Sequence, residues 1–272
     1  MRVALFYYDS ESSIAVANEL SYKMAQVNPI QDDKNPDVAI SIGGDGTLLA
    51  AMHHYVEQLD TIHFIGVHTG HLGFYTDFLN NELDELVKIV QEKKYHVISY
   101  PLLDVIVRTK SGKYEQYTAL NEAVIRRVNG TLIADVMINE LLFEVFRGDG
   151  VCLSTPTGST GLNKSLGGAV LHPSVDMMQL TEIASINNRV YRTISAPMIF
   201  AREETVTIRP LESSCEGLFL SIDHLTYPAD HVQTVTCQMS QKRISFIDVG
   251  KQNFWQRVES AFIGELDKGE DV

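Results

Sequence analysis

Cationic residues are scarce in this sequence: 22 Lys and Arg stand against 35 Asp and Glu, a formal net charge of −13. That balance excludes general nucleic-acid binding, which needs a basic footprint. It leaves room for a small anionic ligand held by local dipoles and a few cations. Cysteine is scarcer still. Cys152, Cys215 and Cys237 form an odd set with no Cys-x-x-Cys pair, so neither a disulfide framework nor a thiolate zinc site is indicated. No apolar run reaches membrane-spanning length, and the N-terminus enters a strand-like stretch with no signal-peptide layout. The cytoplasm is the expected compartment. What is present is ordinary in amount: 44% hydrophobic and 21% charged over 272 residues, enough for one large domain or two ordinary ones.

The stretch with most chemical content is Asp37–Leu49. Val38–Ile42 is apolar and β-branched, the pattern of a short buried strand. It stops in Gly43-Gly44-Asp45-Gly46-Thr47, and the chain then turns helix-like through Leu48–Met52. Glycines between strand and helix let the backbone approach a ligand, and free N–H groups at the helix start favour an anion. Asp45 runs against that: a carboxylate repels phosphate, so it is there to accept a proton or to face a metal. Neither Gly-x-Gly-x-x-Gly nor a P-loop fits, because Leu49 stands at the third glycine and no Lys-Ser/Thr follows. A plain Asp-Gly hairpin would need an alternating strand next, and Leu48–Met52 does not alternate.

Around this stretch the first third of the chain alternates strand and helix. Val3–Tyr8 reads as a strand. Ser10–Gln26 reads as a helix with Ile14, Ala17, Leu20 and Met24 on one side and Ser10 at the N-cap position. Asn28–Pro36 is loop-like. Ile62–Val67 is another apolar strand, ending in a second glycine turn, His68-Thr69-Gly70-His71-Leu72-Gly73-Phe74. Asn81–Lys94 is helical, with Leu83, Leu86, Val87 and Val90 at i, i+3, i+4, i+7. This order predicts an α/β domain with a Rossmann-like parallel sheet over residues 1–98, with ligands beyond the carboxyl ends of the strands. From Tyr95 the texture changes to short strands: Val97–Arg108, Tyr114–Leu120, Ala123–Val128, Thr131–Ile138, Leu141–Phe146, Val206–Pro210, Leu218–Asp223, Val232–Met239 and Ile244–Val249. Asn129-Gly130 reads as a two-residue hairpin. Many short strands with turns indicate a sandwich or a barrel, and an all-β, sandwich-like domain is expected over residues 99–250. Pro173–Val190 is ambiguous between helix and irregular structure. Asn253–Leu266 reads as a last helix, too apolar for a free tail and expected to pack back on the N-terminal domain, followed by a frayed acidic tail, Glu265–Val272.

Several further stretches carry polar groups. His53, His54, His63, His68 and His71 fall within nineteen residues, but on a helix, a strand and a turn, without the ordered spacing of a zinc site. Asn121-Glu122 interrupts an apolar run and offers donor and acceptor side by side, suited to a ribose diol or an amide, or else simply to a strand end. Arg147-Gly148-Asp149-Gly150 is a ligand clamp or an ordinary surface ion pair. Its adhesion tripeptide means little without a secretory signal. Ser154–Ser165 brings hydroxyls ahead of a helix start, which suits sugar or phosphate, or serves only to cap a helix. Gly158 to Ser165 has P-loop spacing, but Asn163 stands where the second glycine must be.

Taken together, Gly43–Thr47, Gly70–Phe74, Leu120-Asn121-Glu122, Arg147–Gly150 and Thr155-Pro156-Thr157-Gly158-Ser159-Thr160 resemble the NAD kinase family, in the family's order. Gly-Gly-Asp-Gly alone is shared with lipid kinases and phosphofructokinases; the five blocks in order are specific. The resemblance implies transfer of the ATP γ-phosphoryl group, with Mg²⁺ carried on the ATP, to the 2′-hydroxyl of the adenosine ribose of NAD. It implies that Asp45 accepts the hydroxyl proton and that Gly44 and Gly46 bring backbone to phosphates. Phe74 would pack on adenine, and Asn121 and Glu122 would hold ribose or adenine groups. Asp149 would face the nicotinamide amide, with Arg147 reaching toward it or phosphate. Thr157, Thr160, Gly161, Leu162, Asn163, Lys164 and Ser165 would line the adenine and ribose pockets. Ala184 would touch the base through its backbone, and Asp223 and His224 would lie near phosphate. A homotetramer or dimer is implied as well. The sequence departs from the family at Gly161-Leu162, where Ala-Tyr is usual, and at His68 and His71, where asparagines are more frequent. A lipid kinase would give no role to Asn121-Glu122 or Arg147–Asp149, and a non-catalytic NAD sensor would need no Asp45.

Overall fold

A computed structural model describes residues 1–27, 30–70 and 73–264. Asn28 and Pro29 of the expected loop, His71 and Leu72 of the second glycine turn, and the acidic tail from Glu265 onward lie outside the described residues. The chain forms two compact units, Met1–Ser99 together with the segment from Ile244 onward, and Tyr100–Arg243.

The first unit is α/β. Strand Val38–Ile42 lies between Arg2–Tyr7 and His63–His68, parallel to both, with Ala39 opposite Ala4 and Phe64. All five of its residues are buried, as a central parallel strand covered on both faces requires. The other edge of His63–His68 is shared: Ser245 and Phe246 pair with His63 and Phe64, and Phe78 and Leu79 pair with Val67 and His68. Residues 244–248, expected in the β-rich domain, therefore extend this sheet, and residues 249–250 stay with the first unit. Helix Glu11–Gln26 starts where Ser10 Oγ accepts the N–H of Ser13 at 3.2 Å. Its buried stripe is Ser13, Val16, Ala17, Leu20 and Met24, whereas Ile14, expected on that face, is exposed. Helix Leu83–Glu92 buries Leu83, Leu86, Val87 and Val90, and Lys93 ends it in the left-handed conformation. These side chains close one core with Ile40, Ile65, Phe78 and Ile247.

The second unit is a β-sandwich. One sheet runs Met198–Ala201, Met177–Ile183, Gly150–Ser154, Glu122–Arg127, Leu218–Ile222, Leu225–Pro228, all antiparallel. The facing strands include Leu132–Ile138 between Leu141–Gly148 and Thr205–Pro210, and His96–Thr109 with Tyr114–Ala119. Inward side chains from both layers, among them Leu103, Ile125, Phe146, Leu153, Ile208 and Val235, make one apolar core.

Three expectations need correction. Asn129-Gly130 is not a hairpin, since the strands before and after it belong to different sheets. Two-residue hairpins lie instead at Asn139-Glu140, where Ile138 faces Leu141 and both turn residues have positive φ, 47° and 69°, and at Asp223-His224, where Ile222 faces Leu225. The two strands expected at 232–239 and 244–249 are one, Val232–Asp248: the polar residues between them stay extended instead of turning, although the in-and-out alternation lapses at Met239 and Ser240, which are both buried. The ambiguous stretch 173–190 contains strand Met177–Ile183.

Candidate active site

In the first unit Gly43 has φ +152°, and a Cβ there would collide with the Thr47 side chain. Its N–H donates to Val67 O at 2.9 Å, which ties the turn to the neighbouring strand. Gly44 is the extended N-cap of helix Asp45–His54, so Asp45 is that helix's first residue. Gly44 and Gly46 are exposed, and nothing lies within 4 Å of a Cβ added at either. Half-buried between them, the Asp45 carboxylate accepts from two backbone N–H groups: Phe74 N at 2.9 Å on Oδ2 and Tyr75 N at 3.0 Å on Oδ1. The second glycine turn thus holds the acid of the first. The Phe74 ring lies 5.8 Å from that of Phe262 and 6.5 Å from that of Phe254. Both belong to helix Phe254–Phe262, which opens with a reciprocal Asn253–Gln256 capping box. Arg257 of that helix also donates to the Gly73–Asp77 segment. Sequence reasoning missed Arg257, since a lone arginine on an amphipathic helix carries no motif.

In the second unit the polar residues cluster around Asn121-Glu122. Asp223 takes the N–H groups of Leu120, Asn121 and Glu122 at 2.9, 2.7 and 3.1 Å. It does so from a left-handed backbone, φ 51°. Thr155 and Thr157 both donate to Leu120 O, at 2.5 and 3.0 Å. Gly158 packs so closely on Asn121 that a Cβ would overlap the Asn121 backbone. Glu122 Oε2 is buried without a hydrogen-bond partner among the described residues. Burial, helped by the charge of Asp223, pushes the Glu122 carboxyl up to about 8. A Cβ on Gly161 would stand 3.3 Å from that same oxygen.

The remaining expected residues divide. Thr160 is buried and donates to Thr157 O at 3.2 Å. Asn163 is fully buried: Thr181 Oγ1 donates to its Oδ1 at 2.6 Å, and its Nδ2 donates to Ser159 O and Ala169 O. Its side chain is thus committed to the interior, while Leu162, Lys164 and Ser165 face outward. The Arg147–Gly150 segment, expected as a tight turn, runs from the end of strand Leu141–Gly148 through Asp149 into strand Gly150–Ser154, and it comes together with Ala184. Asp149 N donates to Ile183 O at 2.9 Å, and a Cβ on Gly148 would press on the Ile183 and Ala184 carbonyls. Ala184 has φ 46°, Asp149 is exposed, and the Arg147 guanidinium lies 4.1 Å from the centroid of the Tyr191 ring. His224 is exposed.

The histidines disperse. His54 sits against Phe6 and Tyr55, His63 against Tyr95, and His68 Nδ1 meets Gly70 O at 3.0 Å. His71 lies outside the described residues.

The ATP-NAD kinase N-terminal domain model matches residues 8–95, and the ATP-NAD kinase C-terminal domain model matches residues 120–249. The chain is 48% identical over 266 residues to a Lactobacillus johnsonii NAD kinase, covering 97% of this chain and 98% of that one. It is 44% identical over 268 residues to one from Pediococcus pentosaceus, covering 98% and 100%. Two solved structures share the fold. A yeast NADH kinase complexed with NADH has TM-score 0.81 at 18% identity, with 100% of this chain and 90% of that one covered. An Archaeoglobus fulgidus NAD kinase in complex with ATP has TM-score 0.76 at 21% identity, with 96% and 99% covered. With both domain models matched in order and near half identity over almost its whole length, this chain belongs to the NAD kinase family.

Proposed function

We propose that the chain transfers the γ-phosphoryl group of ATP to the 2′-hydroxyl of the adenosine ribose of NAD, giving NADP and ADP. The observation that carries this reading is the Asp45 carboxylate, held by two N–H groups between two exposed glycines. Asp45 takes the 2′-hydroxyl proton. In a loose phosphoryl-transfer transition state the nucleophile loses its proton late, so the base needs position more than strength. Gly44 and Gly46 admit phosphate oxygens to backbone N–H groups at a helix start, where the dipole favours them. The Mg²⁺ arrives with ATP as part of the substrate and neutralises charge on its phosphates.

Asn121 and Glu122 hold ribose or adenine groups. At neutral pH the Glu122 carboxyl, pushed up to about 8, keeps its proton, and its unpartnered Oε2 is open to one further hydrogen bond. Arg147 and Asp149 serve the nicotinamide end, beside the bent backbone at Ala184. Phe74 serves the ligand in the first unit; in the second, Thr157, Thr160, Gly161, Leu162, Lys164, Ser165, Asp223 and His224 do so, with Asn163 supporting them from inside. A homodimer or homotetramer is supported by the exposed apolar run Leu141, Leu142 and Phe143, which is costly to leave in water. The proposed compartment is the cytoplasm, where three unpaired, buried cysteines are at home. Among the described residues no helix is long and apolar enough to cross a membrane.

The test is incubation with Mg²⁺, ATP and NAD, with NADP measured. Asp45→Asn should lower kcat by about 10²–10⁴-fold while NAD binding stays nearly intact. No NADP from the parent protein would overturn the reading, and a variant keeping most of its kcat would remove Asp45 from it.

A further inference from the structure

The two N–H groups that hold Asp45 belong to a segment that is itself held from behind. Arg257 Nη1 donates to three carbonyls of that segment: Gly73 at 3.3 Å, Phe74 at 3.4 Å and Thr76 at 2.8 Å. Its Nη2 pairs with the Asp77 carboxylate. Both side chains are almost withdrawn from water, 12% and 14% exposed. The segment's other anchors are Gly73 N to Thr76 Oγ1 at 3.1 Å and Asp77 N to Gly66 O at 3.0 Å. One guanidinium therefore bridges the start and the end of a five-residue turn, and Phe74 and Tyr75 in its middle aim their N–H groups at Asp45. A planar fork with several donors in fixed directions suits this; a lysine ammonium offers the charge without the fork.

We infer that Arg257 is a positioning residue for the catalytic step: it sets the orientation of the Asp45 carboxylate by fixing the turn that donates to it. This rests on Asp45 being the proton acceptor. The guanidinium grips the carbonyl side of the turn, while the N–H side of the same turn faces Asp45, so the effect of Arg257 passes through Phe74 N and Tyr75 N. Losing it would let the turn drift, and a carboxylate displaced by about an ångström can lose about 10²-fold in rate. Arg257 and Asp77 also line a cavity of about 240 Å³ with His68, Thr76 and Lys251. A small cation thus has a way to the place an arginine side chain would vacate.

Four proteins test this: the parent, Arg257→Ala, Asp45→Asn and the double variant. Arg257→Ala should lower kcat by about 10- to 10²-fold with the NAD KM little changed. The double variant should be no slower than Asp45→Asn alone, because the arginine works only through the acid. Millimolar guanidinium should restore part of the Arg257→Ala rate and none of the Asp45→Asn rate. A purely structural arginine would give additive losses in the double variant and no rescue; either result overturns the inference, as does a folded Arg257→Ala protein with kcat within twofold of the parent. If Arg257→Ala does not fold, Arg257→Lys decides. It keeps the charge facing Asp77 and should melt near the parent yet lose kcat; unchanged kcat overturns the inference. Should Asp45→Asn retain most of its kcat, the proton-acceptor reading fails, a result distinct from any obtained at Arg257.

Discussion

Gly73 leaves no room for a side chain beside Asp45: a Cβ built on it would meet the carboxylate that Phe74 N and Tyr75 N hold. The glycine is there for close approach. Gly73→Ala must push the carboxylate off its two donors or shift the turn. The expected result is a kcat lowered about 10²-fold with the NAD dissociation constant changed far less. Steady-state rates with calorimetric NAD titration check it, and a kcat within twofold of the parent would show that the turn yields at no cost.

Glu122 gives a pH dependence whose sign can be worked out. Its carboxyl is pushed up to about 8 in the folded protein, mainly by burial, against an ordinary unfolded value near 4.3. Between those values the unfolded chain has lost this proton and the folded one still binds it, so stability falls as pH rises through the window. Glu122→Gln keeps the shape and removes the titration. The variant should show a shallower decline of ligand-free stability between about pH 5 and pH 8. Denaturant midpoints at several pH values measure it, and parallel profiles for parent and variant would contradict it.

The departure at Gly161-Leu162 now separates into two positions. Leu162 is 39% exposed, so a ring there has space. Leu162→Tyr alone should tighten binding of the adenine or nicotinamide end by roughly 2- to 12-fold, the worth of an aromatic contact of about 0.5–1.5 kcal/mol. Gly161→Ala is different, because its Cβ would sit 3.3 Å from Glu122 Oε2. Adding it should cancel part of the gain. NAD dissociation constants for the single and double variants decide; weaker binding in Leu162→Tyr itself would mean that another side chain already fills the space.

Much of this molecule is readable from its residues, and the misreadings have physical causes. The helix Leu83–Glu92 follows from its period, and the central strand Val38–Ile42 from a short apolar, β-branched run buried at every position. Asn129-Gly130 misled because a turn dipeptide specifies local geometry and not the sheet the next strand will join. The hairpin at Asn139-Glu140 has Glu140 at a positive φ, a choice fixed by flanking strands and not by propensity. In the first unit Asp45 is visible as a carboxylate in a glycine turn, and in the second Glu122 and Arg147 are visible as charged residues next to apolar strand runs. Their partners are not. Phe74 and Tyr75 act on Asp45 through backbone N–H groups, which any residue but proline supplies, and Asp223 reaches Asn121 across 102 positions of chain.

Removing residues from Lys251 onward should destabilise the protein by a specific route. Lys251 pairs with Glu82 and Glu85 at 3.0 and 2.9 Å, partly exposed contacts of small worth. Arg257 matters more: without it the buried Asp77 carboxylate has lost its counter-charge, a change that costs about 3–5 kcal/mol. Burial already pushes Asp77 up, and loss of the guanidinium pushes it further. Protonation relieves the unpaired charge, so the loss should be larger at pH 8 than at pH 5. Calorimetric melting of the truncated and full chains at both pH values checks the sign, and equal losses would place the destabilisation elsewhere.

The strand Val232–Asp248 sets the order in which the protein can be made. Its last residues are the edge partners of His63 and Phe64, and Ile247 shares a core with Ile40 and Ile65. On the ribosome the first 99 residues emerge with Phe78 and Leu79 to pair with Val67 and His68, but the partners of His63 and Phe64 come only with Ser245 and Phe246, whereas the contiguous unit Tyr100–Arg243 is out once Arg243 is. Domains fold as units while the chain is still emerging, usually the first one first. Here the middle closes before the beginning. A nascent chain stalled before Ile244 would carry all five motifs and still lack the strand that pairs with His63 and Phe64, next to the strand that leads into the Asp45 turn.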